Sequence, residues 1–549
     1  VAEKTYTGPL VVDPVTRIEG HLKIDVDIKG GVIADAWSSA QLFRGLEIIV
    51  LGRPPQDVHN YVQRVCGVCT TTHSLTSIRA VENAIGFTPP PAAQLIRHLI
   101  LSSLIVHDHL VHFYHLHALD FFDMASALAA DPAAAAKTAS QVSGREAAPG
   151  DYFIAQTRIK KFVDSGQLGW LTNAYFLGGH PAYRLSPEEN LILAANYLGA
   201  LRVQAKLARA MAVFSGKNPH SQTMRVGGVT CYDGLKPERL KEFRTLYEES
   251  RQFISHNYVG DLTILGRRYP EAAKYGRVSN YMDFADFYDP VSGKDPFFKS
   301  GVLWANDFKR VEEIDPNEIR EHVTRGWYKP GDALHPYDGV TDPDYTGYDR
   351  AGKYSWAKAP RYKGEAVETG PLARRAMALA RGEAETVKRF DAWLSACKLE
   401  RKNIFSTLGR TAARMVESAI LVDRMDGWLA DLEARAKAGP VEIYKPWTMP
   451  DSARGVGFCC VTRGALSHWI RIEKGTTANY QMVVPSTWNL GPRCAAGKIS
   501  PVEESLIGAP VTDPERPVEI LRTVHSFDPC LACAVHLIRP EGNKIVKVV

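Results

Sequence analysis

The sequence predicts an α+β protein, predominantly helical, with a core of long bundled helices carrying peripheral β-hairpins and small sheets. Three observations lead there. Helical apolar periodicity fills the middle of the chain, at 92–125, 187–215, 235–257, 371–398 and 403–437. Period-two alternation is confined to the flanks, near 8–36 and 455–490. The same short arrangement, a CxxC followed by a histidine, occurs near both ends: Cys66-Gly67-Val68-Cys69 with His73, and Cys530-Leu531-Ala532-Cys533 with His536. A fold that brings these two pairs together has its N- and C-terminal segments meeting at a buried four-thiolate metal site, with almost everything between as scaffold.

Taken in order, Leu22, Ile24, Val26 and Ile28 alternate with polar residues as in a half-buried strand, and Gly30-Gly31 supplies the turn to a return strand. Upstream, Glu19 between Ile18 and Gly20 reads by default as a surface charge. Residues 41–65 read as helix broken at Pro54-Pro55, and Pro89-Pro90-Pro91 closes the next helical stretch. The helix expected over 92–125 carries His98, His107, His109, His112, His115 and His117. His112 and His115 have zinc-ligand spacing, but a packed helix with hydrogen-bonded histidines is the simpler reading. Asp108 in this apolar helix belongs to a buried polar network or to a functional cavity. The alanine-rich stretch 133–148 reads as a surface excursion, and 265–365 as short strands and ordered, aromatic-rich loops. Gly439-Pro440 ends the last long helix, and strands follow at 465–472 and 478–485 around a Lys474-Gly475 turn. A helix near 515–525 leads into the second CxxC. No internal repeat is evident.

The chain has 549 residues, of which 45% are hydrophobic. Length alone suggests roughly three or four domains, but half-sites at opposite ends argue for one interlocked body over 1–549. The net charge of +5 is mild and predicts no nucleic-acid partner. No apolar run reaches the roughly 18–20 residues of a membrane helix, and Val1-Ala2-Glu3-Lys4-Thr5 has no apolar signal core, so the chain is expected to lack an export signal of its own. Nine cysteines are too sparse for a disulfide scaffold; Cys231, Cys397, Cys459, Cys460 and Cys494 read as small buried apolar residues.

Thiolates select zinc, copper(I), iron–sulfur clusters or nickel. A structural zinc site is the most common outcome of two CxxC pairs. Against it stand the separation of the pairs, since zinc modules are compact, and the flanking Arg463, Asp108, Asp528, His73 and His536. A thioredoxin-like redox pair needs only one motif and a βαβ pattern, which is absent here.

With these residues the sequence resembles the large, catalytic subunit of nickel–iron hydrogenases, most like the respiratory uptake type. The match runs through Asp13-Pro14-Val15-Thr16-Arg17-Ile18-Glu19-Gly20-His21, Arg44-Gly45-Leu46-Glu47, both CxxC motifs, Gly352-Lys353-Tyr354-Ser355-Trp356, Gly370-Pro371-Leu372-Ala373-Arg374 and Val484-Pro485-Ser486-Thr487-Trp488-Asn489. The resemblance implies reversible heterolytic cleavage of H2. Cys66 and Cys530 would bind nickel terminally, and Cys69 and Cys533 would bridge it to an iron carrying carbon monoxide and cyanide. Position 530 is cysteine, not the selenocysteine of the selenium-containing branch. Arg463 would overhang the open metal position, held by Asp108 and Asp528. Pro485 and Ser486 would line the diatomic-ligand pocket, with Ser486 donating to a cyanide. His73 would sit near a bridging thiolate, and Glu19 would relay protons from Cys530. Glu47, the Met482 carbonyl and His536 would hold magnesium or a similar divalent ion.

Heterolysis needs a Lewis acid for the hydride and a base for the proton. Guanidinium is a poor base, which favours Cys530 over Arg463 as first acceptor. Thr462 departs from the proline common at that position in the family, and its hydroxyl would add a hydrogen bond near the cyanide pocket. The resemblance further implies removal of the tail 537–549 by a maturation protease after nickel-insertion factors act. With no dense cysteine run for electron exit, it implies an iron–sulfur small subunit. The assembly would be a heterodimer or a dimer of heterodimers, periplasmic, exported with the small subunit and touching the membrane only through partners. The alternatives are a structural zinc protein and a non-catalytic relative of the quinone-reducing respiratory complex, the latter opposed by four retained cysteines.

Overall fold

The computed structural model describes residues 6–166 and 179–531. At the N-terminus, β1 (Gly8–Val12), β2 (Leu22–Lys29) and β3 (Val32–Ala40) form an antiparallel sheet. Leu22, Ile24, Val26 and Ile28 all face the core, as their alternation predicts. Gly30 and Gly31 turn at φ 57° and 76°, backbone that glycine alone adopts without strain. Three two-stranded antiparallel pairs occupy the middle: β4 (Met224–Arg225) with β5 (Gly228–Val229), β6 (Tyr281–Asp283) with β7 (Gly301–Leu303), and β8 (Ile319–His322) with β9 (Ala359–Tyr362). A second three-stranded sheet is built from β10 (Ser452–Val461), β11 (Gly464–Glu473) and β12 (Thr476–Val483).

The helices that position the site are α1 (Thr72–Ala84), α2 (Pro91–Val111), α3 (Pro187–Ser215), α4 (Pro237–Phe253), α5 (Pro371–Ala380), α6 (Thr407–Ala438), α7 (Pro485–Leu490) and α8 (Val518–Ser526). The bundle is formed by α2 against α3 and α6, with α4 against α3. Nearly every side chain of α2 is buried, the mark of a helix surrounded by protein. α1 lies on β10 at backbone contact distance: a Cβ on Gly455 would come within 2.3 Å of the Ala80 carbonyl, and one on Gly457 within 2.0 Å of the Thr76 carbonyl. That contact anchors the helix following the first CxxC to the strand leading to Arg463. The two chain ends interlock. Ile33 donates its N–H to the Ala509 carbonyl at 3.0 Å, and Glu19 forms a parallel bridge with Cys530.

Several elements differ from their expected form. The helix of 92–125 ends earlier: α2 passes into a π-helical turn at His112–His117 and a 3-10 turn at Ala118–Asp120. Residues 41–65 form four short turns, Leu46–Ile49, Pro55–Asp57, Val58–Val62 and Gln63–Val65, because Gly45 and Gly52 at positive φ and Pro55 interrupt any longer helix. The 133–148 excursion is instead largely a helix, Pro132–Ser143. Asp131 caps it by accepting from the Ala133 N–H, and Ala135, Ala136 and Ala139 are buried. Alanine combines high helix propensity with a small side chain, so it packs closely without strong apolar periodicity. The next helix, Pro149–Asp164, escaped the pattern reading altogether. The 371–398 helix is broken at Gly382, and the last strand of the 455–490 region ends at Val483, after which α7 begins with Pro485 at its first position.

Candidate metal centre

Cys66 and Cys69 lie on the turn between Gln63–Val65 and α1. The N–H groups of Val68 and Cys69 point at Cys66 Sγ at 3.2 and 3.3 Å, and Arg44 fastens the approach by donating to the carbonyls of Arg64 and Val65. Cys530 follows α8 through Asp528, whose left-handed backbone (φ 56°) turns the chain into the pocket. Cys530 Sγ lies 3.4 Å from Cys66 Sγ, and the sulfurs of Cys66, Cys69 and Cys530 all lie within 4.8 Å of one another, buried. A disulfide would need about 2.05 Å. Thiolates each about 2.3 Å from one ion stand roughly 3.3–4.6 Å apart, so this donor set fits a soft metal. Cys533 and His536 lie outside the described residues.

Arg463 sits in the two-residue loop between β10 and β11. Its Nε donates to the Asp528 carbonyl and its NH2 to Asp528 Oδ1, both at 2.9 Å. NH1 is 3.8 Å from Asp108 Oδ2 and is buried without a hydrogen-bond partner among the described residues. The nearby negative groups Asp528, Cys530, Cys69 and Asp108 outweigh burial and hold Arg463 firmly cationic. Asp108 accepts from the Thr462 hydroxyl at 3.1 Å and contacts His107 Nδ1 at 3.0 Å. Burial raises its pKa, opposed by His107 and Arg463. The Thr462 hydroxyl is thus committed to Asp108.

Around Cys530, the Ser486 hydroxyl at the start of α7 accepts the Cys530 N–H at 3.1 Å, leaving its own proton for another acceptor. Pro485 beside it is buried. Glu19 Oε2 lies 3.5 Å from Cys530 Sγ, so the glutamate that read by default as a surface charge stands against the thiolate cluster. His73 on α1 pairs with His468 Nε2 at 3.0 Å, and His468 with the Tyr480 hydroxyl at 2.6 Å. Burial pushes His73 down to about 4 against the opposing pull of Cys66. Neither His468 nor Tyr480 carried any sequence signal.

The histidines of α2 and of the π-helical turn after it make internal contacts, although Nδ1 of His98, His109 and His112 has no hydrogen-bond partner among the described residues. His109 meets Glu417 at 3.1 Å, His112 donates to the His525 carbonyl at 2.6 Å, and His115 Nε2 lies 3.4 Å from the Tyr197 carbonyl. His117, Asp120 and His525 do converge, but His525 Nδ1 and Asp120 Oδ2 are 2.6 Å apart. That is a hydrogen bond; two ligands about 2.1 Å from one tetrahedral ion stand roughly 3.4 Å apart.

A second, oxygen-rich cluster surrounds Glu47. Its Oε1 accepts the Met482 N–H at 2.8 Å, and its Oε2 meets the Thr341 hydroxyl and Lys358 Nζ, the latter at 3.3 Å. Lys358 also reaches Gln481 Oε1 at 2.5 Å and Glu321 Oε2 at 3.8 Å. Burial pushes Glu321 up to about 7, with Lys358 pulling the other way. Lys358, Glu321, Thr341 and Gln481 were not legible as site residues, since they come from separate segments without a motif.

Comparison with known proteins decides the family. The profile described as "Nickel-dependent hydrogenase" matches residues 44–536, and one described as "HoxL-like" matches 9–37. The chain belongs to the nickel-dependent hydrogenase family. The uptake hydrogenase large subunit of Bradyrhizobium diazoefficiens is 43% identical, over 98% of this chain and 97% of its own length. The quinone-reactive Ni/Fe-hydrogenase large chain of Wolinella succinogenes is also 43% identical over the same shares. The hydrogenase-2 large chain of Escherichia coli K12 is 40% identical, covering 98% and 99%. Among solved structures, the reduced Ni-Fe-Se hydrogenase of D. vulgaris Hildenborough is similar with a TM-score of 0.78 at 32% identity, over 97% of this chain and 100% of that one. This hydrogenase chain is therefore the large, catalytic subunit of an oxidoreductase acting on H2, with nickel and iron as its metals and a small subunit as its partner. The α+β architecture expected from sequence is the family's.

Proposed function

We propose that this subunit cleaves H2 in the pocket framed by Cys66, Cys69, Cys530 and Cys533, with Cys530 as first proton acceptor and Glu19 as the next. The observation that carries this is the pair of distances at Cys530 Sγ, 3.4 Å to Cys66 Sγ and 3.5 Å to Glu19 Oε2. When bound, nickel and iron supply Lewis acidity and an electron sink for dihydrogen. The chain supplies the rest. Cys530 is oriented by the Ser486 hydroxyl on its N–H and by the Glu19 bridge on its backbone. A proton on its sulfur has Glu19 within reach without crossing water. Arg463 is gripped at two points by Asp528, its NH1 has no hydrogen-bond partner among the described residues, and its fixed positive charge stabilises negative charge developing beside Cys530 and Cys69. Burial of Cys66, Cys69, Cys530, Arg463, Asp108 and Asp528 keeps solvent from competing for the proton.

The finer assignments follow the same reading. Pro485 and Ser486 would line the side of the pocket that holds iron with its carbon monoxide and cyanide ligands, where the Ser486 hydroxyl proton, not used on Cys530, would suit a cyanide nitrogen. His73 backs the bridging thiolates. The Glu47 cluster takes magnesium or a similar divalent ion with Met482 and His536. Two carboxylates, Glu47 and Glu321, face one lysine there, and Glu321 Oε2 has no hydrogen bond among the described residues, which leaves negative charge suited to a hard cation. Electrons leave through an iron–sulfur small subunit in a heterodimer or a dimer of heterodimers. The assembly is periplasmic and membrane-associated through partners, residues 1–536 act as one interlocked unit, and the tail 537–549 is removed after nickel insertion.

Anaerobic metal analysis of the heterodimer tests the centre: about one nickel per chain, with iron beyond the partner's clusters, is expected. Zinc in place of nickel would mean a structural site. Iron without nickel would mean a precursor. For the relay, Glu19→Gln should abolish H–D exchange with solvent at unchanged nickel content; retained exchange would remove Glu19 from the path.

A further inference from the structure

A buried charged cluster at the start of the approach to Cys530 is used neither by the metal pocket nor by the Glu47 site. His525, on α8, donates Nε2–H to the Thr16 carbonyl at 2.8 Å and meets Asp120 Oδ2 with Nδ1 at 2.6 Å. Arg17 grips the other oxygen of Asp120 at 2.5 Å and also donates to the Leu116 carbonyl. Asp120 and His525 are about 1% exposed or less.

The partners settle the protonation. A carbonyl only accepts, so Nε2 of His525 carries a proton. Asp120, beside a guanidinium, is an ionised acceptor, so Nδ1 carries one too. His117 Nδ1 stands 3.5 Å from Asp120 Oδ2, but burial pushes this imidazole down to about 4 against the pull of Asp120, so His117 stays neutral and adds no charge. The cluster is therefore an imidazolium–carboxylate–guanidinium chain. One of its cations belongs to α8, five residues before Cys530, and the other to the loop that carries Glu19. Arg17 stands at φ 54°, a left-handed conformation that a non-glycine residue holds only where its surroundings enforce it.

We propose that His525, Asp120 and Arg17 form a charged clasp that holds the Glu19 carboxylate on the Cys530 sulfur, making them positioning residues for proton transfer. The backbone bridge alone, Glu19 N–H to the Pro529 carbonyl at 3.3 Å and Leu531 N–H to the Glu19 carbonyl at 2.7 Å, aligns the two strands. The clasp stops the Thr16–Glu19 segment from swinging about that bridge. A carboxylate 3.5 Å from the sulfur has little distance to lose before transfer stops.

This inference rests on Glu19 as the relay, and the test separates the two. In the heterodimer, His525→Ala, His525→Gln, Asp120→Asn and Glu19→Gln are compared by nickel content, by amide hydrogen exchange of peptides covering 13–21, and by two gas reactions. Conversion of para- to ortho-hydrogen needs cleavage only; H–D exchange with solvent also needs the proton to leave. For His525→Ala and Asp120→Asn, the 13–21 amides should exchange at least about tenfold faster. H–D exchange per nickel should fall at least about tenfold while para–ortho conversion stays within about twofold. His525→Gln, which keeps one donor toward Thr16, should lie between. Parallel loss of both gas reactions per nickel, or unchanged H–D exchange, overturns the clasp. If Glu19→Gln keeps full H–D exchange, the relay itself fails; if it loses exchange while His525→Ala retains it, only the clasp fails.

Discussion

The two candidate ion pockets are built from opposite materials. The thiolate pocket gathers soft donors from two short motifs, and its neighbours are a cation, Arg463, and a nearly neutral histidine, His73. The oxygen pocket gathers Glu47, Glu321, Thr341 and Gln481 from four separate segments around Lys358. In the first, sequence neighbours share one turn, so backbone N–H groups can aim at the sulfur. In the second only tertiary packing brings the groups together. The comparison teaches that a pocket's ligand chemistry and its legibility in sequence go together: soft sites need rare residues in fixed spacing, whereas hard sites draw on common oxygen donors.

The contrast is broken most severely at the thiolates. Cys530→Ser replaces a soft ligand with a hard one and should lose nickel, with hydrogen oxidation down more than about 10³-fold; metal analysis with an artificial-acceptor assay checks it. Next is Arg463→Lys, which keeps charge but loses the two-point grip on Asp528. It should cost about 10²-fold in kcat with metal content intact, and unchanged activity would exclude Arg463 from the mechanism. In the oxygen pocket, Glu47→Gln should weaken retention of a divalent ion by about 10–100-fold and leave nickel in place, as read by elemental analysis after dialysis against a chelator. A smaller effect is expected from Thr462→Val, which removes the hydroxyl bonded to buried Asp108. About 1–2 kcal/mol of stability should go, with activity changed less than about fivefold.

The pockets should also differ in the sign of their pH dependence in the metal-free chain. His73 titrates near 4 when folded, below its ordinary 6.5, because of burial. Between those values only the unfolded chain binds the proton, so this contribution to stability is lost as pH falls from 6.5 toward 4. Glu321 titrates near 7 when folded, above its ordinary 4.5, again because of burial. There the folded chain holds the proton, and stability is lost as pH rises from 4.5 toward 7. Denaturation midpoints of Glu321→Gln and of His73→Gln, each relative to the unsubstituted chain, should therefore trend in opposite directions across that range.

Much of this was open to pattern reading. The β1–β3 alternation, the helices over 187–215 and 403–437, the convergence of Cys66, Cys69 and Cys530, and the burial of Asp108 rest on local rules, periodicity and ligand chemistry, and they stand in the fold as expected. The alanine-rich helix Pro132–Ser143 was misread because small side chains leave little amphipathic contrast. Glu19 was informative only through its motif: a carboxylate beside Ile18 has no local reason to be at a site until the chain brings Cys530 to it. His468, Tyr480, Lys358, Glu321 and the His525–Asp120–Arg17 clasp were out of reach, because hydrogen bonds and ion pairs between distant segments leave no spacing to read.

The amino-acid order on its own set most of the long helices and the flanking strands, the soft-donor motifs and the family resemblance, since each is encoded by residue types at short, regular intervals. Only the tertiary structure decided that Thr462 turns to Asp108, that Arg463 NH1 has no hydrogen-bond partner among the described residues, and that Glu19 stands against Cys530 beside a clasped loop. These are outcomes of packing between segments hundreds of residues apart. The geometry there depends on how buried charges find partners, and short-range sequence pattern carries no information about that.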